Sequence, residues 1–302
     1  MVMTLMSNPK GSVGTVVVAA DGSGDTTDIQ TGINLLPATG GCVYIKEGTY
    51  YITEAITIAT DNVSIIGCGR STLIQSNAPG AAGITIIYAA NVRGITISKV
   101  YLYGSLVQIL SQGIEFDTVT DSTISDCWIE NCNIYGIEFS GTCVSNTIYS
   151  NFINNNDPTT STAINLSANS DLNVISSNQC SSQYSGIATA TGASRNIIVG
   201  NQCNSNSLGG IELGGDNNVI TGNYTEGNNT DENALGGGIT IDGDNNIATN
   251  NRCVDNYVQE ILIRNGVSNN NLVQSNQVIG TNRDVAIRDL GANTLIFNNI
   301  EN

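Results

Sequence analysis

Short runs in which apolar and polar residues alternate recur along the chain at a nearly constant spacing. Ile137-Glu-Phe139, Ile211-Glu-Leu213 and Ile239-Thr-Ile241 each place two apolar side chains on one side of an extended strand. Such runs begin at residues 114, 137, 164, 187, 211, 239, 261 and 287, which is 173 residues over seven repeats, or about 25 per repeat. This length is too short for paired helices, and the leucine pattern of leucine-rich repeats is absent. It therefore predicts stacked turns of short strands.

A second motif, Asn-x-Ile-x-x-Asn-x-(Cys/Val/Ile), supports this interpretation. Copies begin at residues 146, 173, 196, 218, 246, 271 and 293. We expect the second asparagine to occupy one bend in turn after turn, since asparagine tolerates left-handed backbone angles and its amide can bond to the amides above and below. The predicted ladder consists of Asn151, Asn178, Asn201, Asn223, Asn251, Asn276 and Asn298.

These patterns predict an all-β fold, a single-stranded right-handed parallel β-helix with about 25 residues per turn, running as one continuous domain over residues 41–302. Residues 1–40 differ from the repeats. Val16–Val18 is a candidate first strand, and Thr27-Asp-Ile-Gln30 is typical of a capping box. A short amphipathic helix ending before Pro37 should follow and cover the open end of the solenoid.

The composition limits the classes of molecule that the protein is expected to bind. The formal net charge is −16, with 26 acidic and 10 basic residues, which disfavours nucleic acid and anionic membranes. The sequence contains no run of 18 apolar residues, as a membrane-spanning helix would need, and its opening residues lack the apolar core of a signal peptide. An exterior rich in Asn, Ser, Thr and Gly suits neutral carbohydrate.

The eight cysteines form no CxxC pair, and the chain has no histidine, so a zinc site is disfavoured. Cys180, Cys203 and Cys253 share the inward position after the second asparagine, with Thr225 interrupting the stack. We expect them to be free thiols in the core, because stacked Cβ vectors that run parallel disfavour a disulfide.

The segments Ala20–Ile33 and Gly40–Tyr50, which read ADGSGDTTDIQTGI and GGCVYIKEGTY, resemble the opening of pectate-lyase-superfamily β-helices, including phage tailspikes. The repeats are similar to those of carbohydrate-binding and sugar-hydrolase β-helices. Together the resemblances cover nearly the whole chain. They imply a protein that cleaves or adheres to polysaccharide, outside the cell or on a virion, but fold alone does not define a reaction.

Known catalytic patterns are incomplete in this chain. Without histidine, lyases that use a histidine base are excluded. Asn229-Thr-Asp231 matches one of four polygalacturonase elements, and Asp157-Pro-Thr-Thr does not replace the Asp-Pro-His-Glu motif of mannuronan epimerases. Hydrolase, lyase and binding protein all remain open.

Stacking nevertheless gathers carboxylates on one face. Glu115, Asp117 and Glu138 should form a patch in which like charges raise at least one carboxyl pKa, the condition for acid–base catalysis; a solvated acidic face is the alternative.

Two long connections, residues 154–163 and 226–238, leave the same corner three turns apart, about 14 Å. Insertions on one side of a solenoid often mark its binding face, although neutral loop drift explains them equally well. The cleft floor would hold Asn165, Ala188 and Glu212, with Asp242 and Tyr184 near the rim.

Two further candidates lie elsewhere. Asp216 and Asp244, in Gly/Asp-Gly-Asp-Asn-Asn turns, are candidate Ca²⁺ ligands, with Asx turns as the alternative. Trp128 and Phe152 should lie side by side facing outward, where they would stack on a sugar or contact a neighbouring protomer.

The leading hypothesis is a polysaccharide-directed β-helix that binds, and through Glu138, Glu212 and Asp242 cleaves, a neutral or weakly acidic glycan, with Tyr184 orienting the sugar. The alternative is a structural or adhesive solenoid, such as a tailspike shaft or surface-protein module, assembled as a homotrimer.

Overall fold

A computed structural model describes residues 14–78, 83–106, 110–154, 156–232, 236–264, 268–280 and 286–301. The chain coils into three parallel sheets, named A, B and C, and successive strands of each sheet come from successive turns. The leading isoleucines are in register from turn to turn, 22 to 28 residues apart. The predicted right-handed parallel β-helix of about 25 residues per turn is confirmed.

Over the described residues, sheet A has twelve strands. They are Gly14–Val18, Gly41–Ile45, Val63–Ile66, Thr96–Ser98, Thr123–Ser125, Thr147–Tyr149, Val174–Ser176, Ile197–Val199, Val219–Thr221, Ile247–Thr249, Leu272–Gln274 and Leu295–Phe297.

Sheet B has eleven strands in the part of the chain that the structure describes. They are Gly48–Ile52, Thr72–Ser76, Tyr101–Tyr103, Trp128–Glu130, Phe152–Asn154, Gln179–Ser181, Gln202–Asn204, Tyr224–Glu226, Arg252–Val254, Gln277–Ile279 and Ile300–Glu301.

Sheet C, which carries the candidate site, has ten strands within the described ranges. They are Ile56–Ile58, Thr85–Ala90, Gln112–Asp117, Tyr135–Ser140, Thr162–Leu166, Ser185–Thr189, Gly209–Leu213, Ile239–Ile241, Ile261–Ile263 and Ile287–Asp289.

The core is a set of columns running along the solenoid axis. The middle residue of each sheet A and B strand and the leading isoleucine of each sheet C strand point inward, and nearly all are fully buried. Phe116 and Phe139 stack in adjacent turns, with ring centroids 5.5 Å apart and planes 2° from parallel. Like side chains therefore pack on like, which is why the sequence repeats.

The asparagine ladder is confirmed. In each step the backbone N–H and Nδ2 of one asparagine donate to Oδ1 of the next; for Asn178 and Asn201 the distances are 2.9 and 3.0 Å. Two details of the prediction were wrong. The last member is Asn299, which accepts from Asn276, instead of Asn298. The left-handed residue is the one before each ladder asparagine, such as Ser177 (φ 55°).

Two more amide ladders occupy the other bends. The first asparagines of the motif, from Asn146 through Asn271, form a second ladder in which the backbone N–H of each donates to Oδ1 of the next. Nδ2 of Asn173 and of Asn196 also donates to the next Oδ1. A third ladder runs Asn206, Asn228, Asn256 and ends on the buried Glu260, whose carboxylate accepts from the backbone N–H and Nδ2 of Asn256. All three ladders supply partners to backbone groups that the bends would otherwise leave unpaired.

The inward column of sheet B runs Cys180, Cys203, Thr225, Cys253, as predicted. The three cysteines are buried free thiols. Burial raises the pKa of Cys253 to about 12, so this thiol stays protonated and unreactive.

The N-terminal strand and helix also form. Gly14–Val18 pairs with Gly41–Ile45. The helix spans Ile29–Asn34, and its N-cap is Asp28, whose carboxylate accepts from Thr31 N at 2.7 Å; the capping box predicted from Thr27 is therefore wrong. Residues 1–13 lie outside the described residues, and the domain boundary at residue 40 stays a prediction. Among the described residues, no helix has the length and apolarity to cross a bilayer.

Candidate functional site

The candidate site lies on the outer face of sheet C. Ahead of each leading isoleucine the strand has an irregularity that turns the preceding residue inward: a Cβ on Gly136 would lie 2.5 Å from Ile153 Cγ2 in the core. The residue before that one, such as Gln112 or Ser185, therefore faces outward beside the acidic side chains. Strict alternation counted back from the leading isoleucine would place this residue inward. Gln112 and Ser185 were therefore not predicted as part of the site.

Glu115, Asp117 and Glu138, termed the acidic patch, are brought together as predicted. Glu115 and Glu138 are directly in register on adjacent strands. Ser140 Oγ donates to Glu115 Oε1 (2.9 Å), Tyr88 donates to Asp117 Oδ2 (3.1 Å), and Gln112 Nε2 donates to Glu138 Oε2 (3.1 Å). These neutral donors hold the three carboxylates in place, and no ion pair within the described residues involves any of them.

The predicted carboxyl pKa shift occurs at Glu138. Burial is the larger cause that raises the pKa of this carboxyl, and the charge of Glu115 adds to it, against hydrogen bonds from Ser167, Asn165 and Gln112. Asn165 is thus in contact with Glu138, as expected for two residues in register.

A second group, termed the arginine-bridged cluster, consists of Glu212, Asp242 and Arg264. Arg264 Nη1 donates to Asp242 Oδ2 at 2.9 Å, and Arg264 Nη2 lies 3.7 Å from Glu212 Oε2. Ser185 Oγ donates to Glu212 Oε1 at 2.6 Å. The side chains of Glu212 and Asp242 keep 17% and 27% of their exposure, so both carboxyls are partly shielded yet reach the surface.

Both carboxyls of this cluster hold protons more tightly than usual. Burial raises the pKa of Glu212, outweighing the Ser185 hydrogen bond and the charge of Arg264. Burial also raises the pKa of Asp242 against the opposing charge of Arg264. Within the described part of the chain, Asp242 Oδ1 and the hydroxyl of fully buried Thr240, which is in register with Glu212, have no hydrogen-bond partner. The cluster therefore presents unused acceptor capacity.

The three predicted catalytic carboxylates do not form one constellation. Asn165 and Ala188 stand between Glu138 and Glu212 in the same column. Three turns of the solenoid separate the two acids by about 14 Å along the axis. This exceeds the ~5–9.5 Å that paired glycosidase carboxylates need, so Glu212 with Asp242 is the candidate pair.

Both long connections lie at the corner that precedes sheet C, beside Tyr184, whose backbone N–H donates to Ser161 O. They do not stand as two separate walls. Ser207 Oγ donates to Pro158 O of the first connection, and Asp231 N of the second donates to Ser207 O. The two connections thus meet at Ser207 and form one rim along the side of the sheet C face.

The remaining candidates lie apart from this face. Asp216 Oδ1 accepts from Asp244 N (2.8 Å), and Asp244 Oδ1 accepts from Asn269 N (2.7 Å). Across the described ranges no three acidic or cysteine side chains group to hold a metal ion. The calcium site and its Asx-turn alternative both stay predictions, because these hydrogen bonds join each carboxylate to the backbone of the next turn of the solenoid and are not local Asx turns.

Trp128 and Phe152 are side by side on sheet B, as expected, and both are half-buried. Tyr101 extends the column by one turn, and its hydroxyl donates to Glu130. This aromatic column faces away from sheet C.

No protein-family model and no curated protein sequence matches the chain. Solved structures match in fold. Geobacillus virus E2 ORF18 aligns with a TM-score of 0.75 and 16% identity over 92% of this chain and 60% of its own. An alginate lyase from Paenibacillus sp. strain FPU-7 aligns with a TM-score of 0.66 and 15% identity over 95% and 99%. The Dettilon tailspike protein aligns with 0.62 and 15% over 82% and 53%.

At these identities the similarity establishes the β-helix fold. The chain spans about 60% of the viral protein's length and about half of the tailspike's.

Proposed function

We propose that the protein is a polysaccharide-directed β-helix that binds a glycan on the outer face of sheet C and hydrolyses it at the arginine-bridged cluster. The observation that carries the proposal is the pair of partly shielded carboxyls, Glu212 and Asp242, in contact with one guanidinium beside the rim at Ser207. One structural neighbour is named as an alginate lyase, an enzyme that acts on a polysaccharide, which supports the same broad substrate class.

The two carboxyls differ in a way that assigns their roles. Asp242 bonds directly to Arg264 at 2.9 Å, which favours its ionised form, whereas Glu212 lies 3.7 Å away and is more deeply buried. Glu212 therefore donates its proton to the glycosidic oxygen of the leaving sugar, and Asp242 accepts a proton from the water that attacks the anomeric carbon. One water is consumed and one glycosidic bond is broken.

The charge of the face favours an uncharged glycan. Five carboxylates, those of the acidic patch and the arginine-bridged cluster, line it, and the guanidinium of Arg264 is engaged by two of them. A uronate or sulfate would meet repulsion at close range. The acidic patch, about 14 Å from Glu212 along the axis, would bind sugar hydroxyls about three residues from the cleaved bond.

The test is reducing-end release from a panel of uncharged polysaccharides by native protein, Glu212→Gln and Asp242→Asn. We expect each substitution to lower the rate at least ~100-fold, as removal of a general acid or base does. Glu226→Gln on sheet B is the matched control, since Glu226 is exposed on another face. Rates that are equal in native protein and both variants would contradict the assignment.

The adhesive alternative is favoured by a different observation, the half-buried aromatic column Tyr101, Trp128 and Phe152 on sheet B. In that case the protein is a virion or cell-surface module, and a homotrimer is the assembly we propose for it. Native protein that releases no reducing ends but is retained on a glycan array, with retention lost in Trp128→Ala, would favour adhesion over hydrolysis.

A further inference from the structure

Two neighbouring polar atoms at the arginine-bridged cluster are buried and have no hydrogen-bond partner within the described residues. They are Oδ1 of Asp242 and Oγ1 of Thr240, a residue with no exposed surface. The inward-facing Ile241 separates Thr240 from Asp242, so both side chains leave their strand on the outer face of sheet C. A polar atom that is taken out of water without a partner destabilises the folded protein, and here two such atoms lie together.

The fold does not require a hydroxyl at residue 240. The same outward column holds Ala188 two turns earlier and Leu262, which is 1% exposed, one turn later. Valine would keep the branched shape and the strand preference of threonine without its hydroxyl. The Thr240 hydroxyl therefore lowers stability, as polar groups at binding sites commonly do.

Arg264 lies across the turn that carries Thr240. Its guanidinium meets Asp242 one turn back, with Nη1 2.9 Å from Oδ2, and reaches Glu212 two turns back, with Nη2 3.7 Å from Oε2. Because Thr240 is in register with Glu212, the guanidinium spans the space outside its hydroxyl. The contact with Glu212 is the longer one, and partly exposed ion pairs contribute little to stability. Arg264 can therefore pivot on Asp242, a side-chain change of the kind that commonly accompanies binding.

We propose that Thr240 and Asp242 Oδ1 form a sugar-binding subsite that Arg264 covers in the free protein. This inference rests on the proposed function, because it concerns the glycan bound at the same cluster. Two free hydroxyls on neighbouring carbons of a sugar satisfy both atoms: one donates to Asp242 Oδ1, and the other accepts from Thr240 Oγ1. The pivot of Arg264 also takes positive charge away from Glu212, which favours the protonated form of the proposed general acid.

The charges around the subsite select an uncharged ligand. A cation would meet the guanidinium of Arg264, and an anion would meet the carboxylates of Glu212 and Asp242. A sugar in which either of the two hydroxyls is substituted could satisfy only one of the two protein atoms. The subsite is therefore specific for a neutral sugar with a free vicinal diol.

A binding role gives Thr240 opposite effects on the free protein and on the complex. Removing its hydroxyl should stabilise the free protein, because an unpartnered buried group is lost, and should weaken the complex, because a hydrogen bond to the sugar is lost. A hydroxyl that acts only in folding would not combine these two effects.

The experiment compares native protein with Thr240→Val, Thr240→Ser and Thr189→Val. Affinity electrophoresis through gels containing dextran, pullulan, galactomannan or xyloglucan gives the Kd, and urea unfolding gives the stability. Thr240→Val should raise the folding equilibrium constant about fivefold and raise the Kd at least about tenfold. Thr240→Ser, which restores the hydroxyl, should recover most of the lost affinity.

Thr189→Val is the matched control. Thr189 is also buried with an unpartnered hydroxyl among the described residues, but it faces the core between Leu166 and Leu213. Its substitution should stabilise the protein to a similar extent and leave the Kd unchanged.

Three results would overturn the proposal. Thr240→Val that is no more stable than native protein would show that the hydroxyl has a partner in the free state. Thr240→Val that binds as tightly as native protein would remove the subsite and leave the proposed function intact. Native protein that none of the four polysaccharides retards would overturn both. Because the Kd is measured without cleavage, a protein that binds but releases no reducing ends refutes only the proposed hydrolysis.

Discussion

Replacing Asn201 by alanine tests the physical basis of the fold. Asn201 is fully buried in the middle of its ladder. Its Oδ1 accepts from the backbone N–H and Nδ2 of Asn178, at 2.9 and 3.0 Å, and its Nδ2 donates to Ile175 O and to Asn223 Oδ1, at 2.9 and 3.0 Å. Alanine removes all four side-chain bonds and keeps the two backbone bonds, from Asn201 N–H to Asn223 Oδ1 and from Tyr224 N–H to Asn201 O.

The expected cost follows from what is left unpaired. The backbone N–H of Asn178 and the carbonyl of Ile175 lose these partners in a site that excludes water, and the amide of Asn178 keeps its bond to Ile148 O. At about 1 kcal/mol per lost bond, and more for a buried group left unsatisfied, Asn201→Ala should lower the free energy of unfolding by about 4 kcal/mol. Urea unfolding followed by circular dichroism measures this loss.

Gln202→Ala is the matched control for Asn201→Ala. Gln202 is the next residue, and its side chain is exposed on sheet B, so its truncation should change the free energy of unfolding by less than about 0.5 kcal/mol. If Asn201→Ala were as mild as this control, the ladder would be a consequence of stacking and not a cause of stability, and the reasoning would be refuted.

Three further substitutions probe single positions. Thr189→Val should stabilise the protein by about 1 kcal/mol, since Thr189 is buried with its hydroxyl unpartnered among the described residues; urea midpoints test this. Phe139→Ala should cost about 4 kcal/mol, because it leaves a cavity beside Phe116; the same unfolding assay measures it. Chiefly through burial, the pKa of Glu260 is raised from 4.5 to about 7, so the folded state keeps a proton that the unfolded chain releases in this window. As the pH rises from 4 to 8, the free energy of unfolding of native protein should therefore fall by up to about 3 kcal/mol relative to that of Glu260→Gln. Urea unfolding at both pH values tests this, and an unchanged difference between the two proteins would contradict it.

Much of the fold was predictable because equivalent positions in successive turns require similar residues, so the sequence repeats with the period of the turn. Each ladder asparagine must lie over the last, so its spacing reports the turn directly. The prediction failed at the last turn, where Asn298 and Asn299 are adjacent and either fits the spacing. Only strand pairing, which sets Leu272 opposite Leu295, shows that Asn299 is the ladder residue.

The site was less predictable for two physical reasons. Alternation and the repeat spacing placed Glu138 and Glu212 on one face three turns apart, but they do not show how closely each side chain approaches its neighbours. The inward-turned residue before each leading isoleucine also shifts the outward set, which is how Ser185 reaches Glu212. Arg264 bridges the two acids through the reach of its side chain across two turns, which strand alternation does not show.

The inward-turned position before each leading isoleucine also explains why the buried Glu260 is not part of the candidate site on sheet C. In three earlier turns it holds a glycine, Gly136, Gly186 or Gly210, whose Cβ would meet core side chains or backbone within about 3 Å. At residue 260 a long carboxylate side chain fits because it takes the place that the next asparagine of the third ladder would occupy above Asn256. A buried acid here is therefore a substitute acceptor that ends an amide ladder, and its chemistry belongs to stability and not to the sheet C face.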